Sequence, residues 1–482
     1  MSNKKISRRD FLKASALAAG GAILAGCATP TAQVIKETVS VKETIVVPAK
    51  ETVVVPEKET IIVTATSVPP TPVPPPQPAK LVAMVGGDVL GEDQIKAFLK
   101  DSKLVTEIER LDVDATRLRA MFAAGTPPDV WQASGADVPV YTSHNMILDL
   151  TDFFNTSKML KPEDIADQAT MYFKYQGGWY GMNTDFSCDM PVIISKFAFQ
   201  DAGLDVPEPK KIYTYKDAAV WAQKLTKRQG ARTVRIGWGD NEWWDAIIQT
   251  VLLEEGNDVF VNSFSKATIK DNQTVVDLLT YYANLAKENV IWNTLNPSPS
   301  WAGEDITVGR AGFVRYGYWM HGVIVGTKDV KLEDFEMRAP LSWGGKVAVD
   351  PPLGGNGWFI AKSTKIPYSA WELYEWFFGG PPAQARATSG WGIPSLKSLW
   401  PQMPQATVLD KQFYDHTMWE LQNTVQKPRT VNPFMSTSTI NDSWARNLES
   451  YLRGEIKIEE AIANLDKDVN DTLQNGINAE FK

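Results

Sequence analysis

From Lys80 to the end of the sequence, short apolar runs alternate with amphipathic stretches of helical period, and this confines the body of the chain to an α/β fold. The run Lys80-Leu81-Val82-Ala83-Met84-Val85 predicts a strand closed by Gly86-Gly87-Asp88. Residues 115–124 put Leu118, Met121 and Phe122 on one helical face and stop at Gly125. A buried strand is expected over 129–133, after Pro127-Pro128. Thr214, with Asp217 three residues on, predicts a capped helix through Leu225. Pro367 opens and Gly379-Gly380 closes another over 366–378, and the chain from Ser443 reads as almost wholly helical. A body of about 400 residues can hold two or more domains.

Everything upstream of Lys80 has a different texture. Lys4, Lys5, Arg8, Arg9 and Lys13 precede an apolar stretch over residues 14–26 that is too short to span a bilayer, where about 20 residues are needed. Arg8-Arg9-Asp10-Phe11-Leu12-Lys13 followed by Leu24-Ala25-Gly26-Cys27 reads as a twin-arginine export signal over 1–26, fused to a lipoprotein cleavage site. The mature chain is then expected to begin at a lipidated Cys27, outside the cytoplasm. Three eight-residue repeats follow, built on Lys42-Glu43-Thr44, Lys50-Glu51-Thr52 and Lys58-Glu59-Thr60 with Val/Ile runs, and then seven prolines over residues 68–78. Pro and the Lys-Glu pairs oppose helix and sheet growth, so 27–79 reads as an extended stalk.

Removing residues 1–26 takes away five basic groups and one acid, which moves the formal charge from −8 to −12. Such a surface argues against nucleic acid as a partner. Only Cys188 remains once Cys27 is lipidated, so no disulfide can form within one chain and the fold rests on its apolar core.

A family resemblance emerges from short pieces spread in order along the body. Ala123-Ala124-Gly125-Thr126-Pro127-Pro128-Asp129-Val130, Gly177-Gly178-Trp179-Tyr180-Gly181, Ala202-Gly203-Leu204-Asp205-Val206-Pro207, Val308-Gly309-Arg310-Ala311-Gly312-Phe313 with Trp319, and Gly354-Gly355-Asn356-Gly357-Trp358 resemble the family 1 extracellular solute-binding proteins of ABC importers, relatives of maltose-binding protein. The resemblance implies a periplasmic-binding-protein-like fold: two doubly wound α/β lobes joined by a hinge, with the ligand cleft between them. It places lobe 1 at 80–187 plus 357–395 and lobe 2 at 188–356 plus 396–482, with crossings near 184–189 and 352–358.

Seventeen Trp point independently toward sugar, whose C–H faces stack on indoles while its hydroxyls bond to short polar side chains. Trp179, Trp238, Trp243, Trp244, Trp319, Trp358 and Trp391 fall at turns or strand ends, as does Asp240. Trp221, Trp371 and Trp376 recur at helical spacing and read as core. The resemblance singles out Trp319 as a stacking residue, Trp243 and Trp244 as lying where relatives carry an aromatic that stacks on sugar, and Asp88 as a carboxylate on ligand hydroxyls. Gln132, Ser134 and Asn356 complete the candidates at strand tips, and the segment 441–444 resembles the start of a helix bordering the cleft.

Catalytic and metal motifs are thin. The three His stand apart from one another, no Gly-x-Ser-x-Gly or phosphate-binding loop occurs, and no cofactor or metal is expected. The pair Glu254-Glu255 could serve a glycosidase, but adjacent helical residues point in different directions. The expectation is therefore a monomeric, membrane-tethered carbohydrate receptor that delivers its ligand to an ABC permease. A lipid-anchored glycoside hydrolase or lyase, or the same fold holding a non-sugar solute, are the alternatives.

Overall fold

Alternating burial makes the first apolar run a strand: in β1 (Ala79–Met84) Leu81 and Ala83 enter one core and Met84 the other. The computed structural model describes residues 77–480 apart from 231, 240–242, 353–354 and 437. The export signal, Cys27 and the repeats lie outside the described residues, and so does Asp240. The other strands of the two main sheets are β2 (Val105–Leu111), β3 (Val130–Ser134), β4 (Val192–Ser195), β5 (Lys227–Gln229), β6 (Arg232–Trp238), β7 (Ala311–Arg315), β8 (Phe335–Arg338) and β9 (Asn356–Ile360).

The first sheet has the order β9-β3-β1-β2, with β1 parallel to both neighbours and β9 antiparallel to β3. Helices Glu92–Asp101 and Ala115–Ala123 connect its parallel strands. The second begins because the Asp114 carboxylate accepts the amides of Thr116 and Arg117 at 2.8 and 2.9 Å. It ends as expected at Gly125, whose φ of +73° suits a residue without Cβ, with the Thr126 amide returning to the Met121 carbonyl. Helix Pro367–Gly379 covers one face of this sheet. Trp131, Phe173 and Phe359 fill the other.

The second sheet has the order β8-β4-β7-β6-β5; β6 and β7 run parallel, and β4 is antiparallel to both β7 and β8. Ile193, Val314 and Met337 face one core, while Val192, Ile194 and Phe313 face the other. Helix Tyr215–Leu225 carries the expected cap, the Thr214 hydroxyl accepting from the Asp217 amide and the Asp217 carboxylate from the Thr214 amide. The C-terminal helices Ser438–Leu452 and Ile458–Glu480 also belong to this side, packing near Trp244–Glu254 and Gln273–Lys287. Among the described residues, no helix is long and apolar enough to cross a membrane.

The two sheets are linked by neighbouring strands that run in opposite directions, bridged at Asn183 with Gly357 and at Cys188 with Pro352. A third passage joins them where Val425 bridges Val349. Leu396 bridges Ile165, and the turn Lys397–Gln402 stays with the first sheet, its Lys397 amide on the Asp164 carbonyl. The chain therefore returns to the second sheet only with helix Val408–Asn423, which packs on β8, later than the boundary at 395.

Candidate functional site

Parallel strands collect their loops at their carboxyl ends, and there the first sheet gathers its polar tips. The Gly86 amide donates to the Gln132 Oε1 at 3.1 Å, which ties the loop after β1 to the end of β3. Register places Asn356 opposite Ser134. Asp88, Gln132, Ser134 and Asn356, expected from sequence, together line a cavity of about 420 Å³ with Asp137 and Tyr141. Burial raises the Asp137 carboxyl, and burial together with that charge pushes the Tyr141 phenol up to about 12. The lining includes no Lys or Arg among the described residues. Such a wall offers hydrogen-bond partners to a neutral, hydroxyl-bearing ligand and little to an anion.

At the carboxyl end of β7 the second sheet presents aromatic rings instead. The half-buried Trp319 lies against Trp301, with centroids 6.0 Å apart and planes within 16°. Tyr316 meets Trp319 edge-on at 5.0 Å, and Trp243 meets Tyr316 at 6.1 Å. Trp301 stays 38% exposed. The Trp319 indole N–H donates to both oxygens of Asp189, at 3.1 and 3.2 Å. Sequence reasoning missed Trp301, although its signal was present: an indole ending the Pro/Ser-rich loop 297–300, at the cap of helix Ala302–Thr307.

Four expected indoles are core residues instead, among them Trp238, fully buried and stacked on Phe313 at 5.1 Å. Trp179, 8% exposed, stacks on Phe154 at 4.0 Å and donates its N–H to the Gly181 carbonyl at 2.8 Å. Trp358 is fully buried and stacks on Phe377 at 4.1 Å, because strand alternation turns it beneath helix Pro367–Gly379 while Phe359 takes the opposite face. Trp244 opens helix Trp244–Glu254 facing inward, edge-on to Tyr282 and Trp444. Trp391 is 48% exposed and packs its ring over Gly322, on the helix that follows Trp319. In the segment 441–444, Asn441 bonds Asp245 and Trp444 is buried.

Glu254 and Glu255 turn to different partners. The Glu254 carboxylate accepts the amides of Trp343 and Gly344 and the Ser342 hydroxyl, while Glu255 accepts from Thr274. Among the described residues no group of three His, Cys, Asp or Glu could hold a metal ion. A second cluster of acids is buried at the crossings. Asp350 accepts the Met190 amide at 3.0 Å and shares a hydrogen bond with Glu420, and burial pushes Asp350 up to about 7 and Glu420 well above the carboxylate range.

Solved structures share this fold. An ABC substrate-binding protein of Listeria monocytogenes, in complex with cycloalternan, superimposes with a TM-score of 0.68 at 20% identity, over 83% of this chain and 100% of that one. A solute-binding protein of Thermotoga lettingae bound with α-D-tagatose gives 0.64 at 19%, over 82% and 99%. The sugar-binding protein MalE of Xanthomonas citri gives 0.65 at 15%, over 82% and 98%. At such identities the likeness establishes the periplasmic-binding-protein-like fold. A search among curated proteins by sequence finds no match. Residues 5–25 match the twin-arginine translocation signal sequence. Residues 93–407, well over half of the chain, match the profile of the bacterial extracellular solute-binding proteins, and to that family the chain belongs.

Proposed function

We propose that this chain is an extracytoplasmic receptor, lipid-anchored at Cys27, that captures an oligosaccharide between two lobes and hands it to the transmembrane subunits of an ABC permease. The aromatic group of Trp243, Trp301, Tyr316 and Trp319 carries this reading, since part-exposed indoles suit the C–H faces of sugar rings. The Lys- and Arg-free cavity with Asp88, Gln132, Ser134 and Asn356 supports a neutral, hydroxyl-rich ligand. Cycloalternan and tagatose in two of the similar structures support it further.

The lobes are built on the two sheets, and the crossings at 184–189 and 352–358 serve as the hinge. Ligand shifts the equilibrium toward the closed state through its extra contacts there, without bond making or breaking, and the receptor works as a monomer. A thermal-shift screen with maltose, mannobiose, mannotriose, cycloalternan and D-tagatose tests the reading. At least one saccharide should raise the melting temperature by a few degrees, because it binds only the folded state. Silence across the panel would count against a sugar ligand, and saccharide shortening seen by chromatography would favour the hydrolase.

A further inference from the structure

The Trp319 indole N–H is held from the crossing strand 184–189, by Asp189. Asp189 is fully buried, and its carboxylate accepts from the Trp319 indole, from the Gly317 amide at 3.1 Å and from the Ser187 hydroxyl. Position 317 has room only for glycine: a Cβ there would lie 2.0 Å from Ser187 Oγ and 2.4 Å from both Asp189 Oδ1 and the Cys188 carbonyl. The loop after β7 is thus docked by close backbone approach as well as by hydrogen bonds. At its other end the same crossing strand is fixed to the first sheet, the Thr184 amide donating to the Asn356 carbonyl at 3.0 Å. One short strand therefore reaches both the polar cavity, through Asn356, and the aromatic group, through Trp319.

We propose that Asp189 is a positioning residue that locks the plane of the Trp319 indole to the crossing strand, so that the stacking surface and the hinge move as one. This rests on the reading of Trp319 as a ligand-stacking residue. An indole pivoting about χ1 and χ2 loses rotamer freedom when ligand binds, and a hydrogen bond made beforehand to a buried carboxylate removes that cost from the binding step. A charged acceptor makes the restraint stronger than a neutral one. Asp189 touches no ligand in this account.

Two measurements on the mature chain test it. In ¹⁵N-labelled wild-type protein, the Trp319 indole N–H, assigned by its loss in Trp319→Phe, should exchange slowly with solvent although the ring is part-exposed. Exchange as fast as that of a free indole would overturn the proposal, and this readout needs no Asp189 variant to fold. In titrations with mannotriose, Asp189→Ala should weaken binding about tenfold, while Asp189→Asn, which keeps an acceptor for the indole, should recover most of the loss. Equal affinity of Asp189→Ala and wild type would overturn the proposal. If Trp319→Ala binds mannotriose like wild type, or no saccharide binds at all, the reading of the site fails instead. The indole exchange rate still decides whether Asp189 holds the ring.

Discussion

The buried carboxyls at the crossings make stability depend on pH in a direction that can be worked out. Burial raises both Asp350, to about 7, and Glu420, well above its ordinary range. In the unfolded chain both ionise near pH 4. Between about pH 5 and 7 the folded state therefore binds more protons than the unfolded state at this pair. A raised acid contributes stability that is complete below its unfolded pKa and is lost as pH rises through its folded one. Each such proton costs about 1.4 kcal/mol of unfolding free energy per pH unit, so the pair makes stability fall as pH rises toward neutrality. The Asp350 contribution fades as pH passes about 7.

Glu420→Gln keeps a donor for Asp350 and deletes one titration. Urea unfolding at pH 5, 6, 7 and 8 should show wild-type stability falling relative to the variant's as pH rises from 5, by no more than about 1.4 kcal/mol per pH unit. The neighbouring Asp189 and Cys188, which burial also raises, cancel in that difference. Parallel curves for the two proteins would refute the argument that Glu420 is held protonated by its surroundings.

The corrected indoles give a second prediction: Trp358→Ala should cost about 3–5 kcal/mol of stability, read by denaturant unfolding, while leaving ligand affinity of the folded protein unchanged. A third concerns the third passage, where the Arg429 guanidinium lies 3.0 Å from the buried Asp245 and the Arg429 amide donates to the Tyr172 hydroxyl. Arg429→Ala strands Asp245 without its cation and should destabilise by about 3–5 kcal/mol, a loss that unfolding titrations at neutral pH will register.

Much of the fold was legible because its signals are local. The run at Lys80, the cap at Thr214, the stop at Gly125 and the opening at Pro367 each depend on residues within one turn or strand, and each element lies where the sequence placed it within a residue or two. The polar cavity was legible for a related reason, since strand tips at Asp88, Gln132 and Asn356 announce themselves by the turns beside them. The indoles were not. Trp243 and Trp244 are adjacent and chemically identical, and only the helix direction decides which of them is turned inward. Trp358 looked like a loop residue beside Gly357 until helix Pro367–Gly379 covered it. Asp189, Asp350 and Glu420 meet from positions far apart in the chain, and no short-range pattern marks such a convergence.

The proposed function makes Trp319 and its neighbours the stacking surface for a saccharide. Titration calorimetry of the mature chain with the saccharide that stabilises it most, for wild type and Trp319→Ala, tests this most directly. Losing one stacked ring should weaken binding to the folded protein by about tenfold or more. Identical affinities, or the absence of saturable binding to any saccharide, would contradict it.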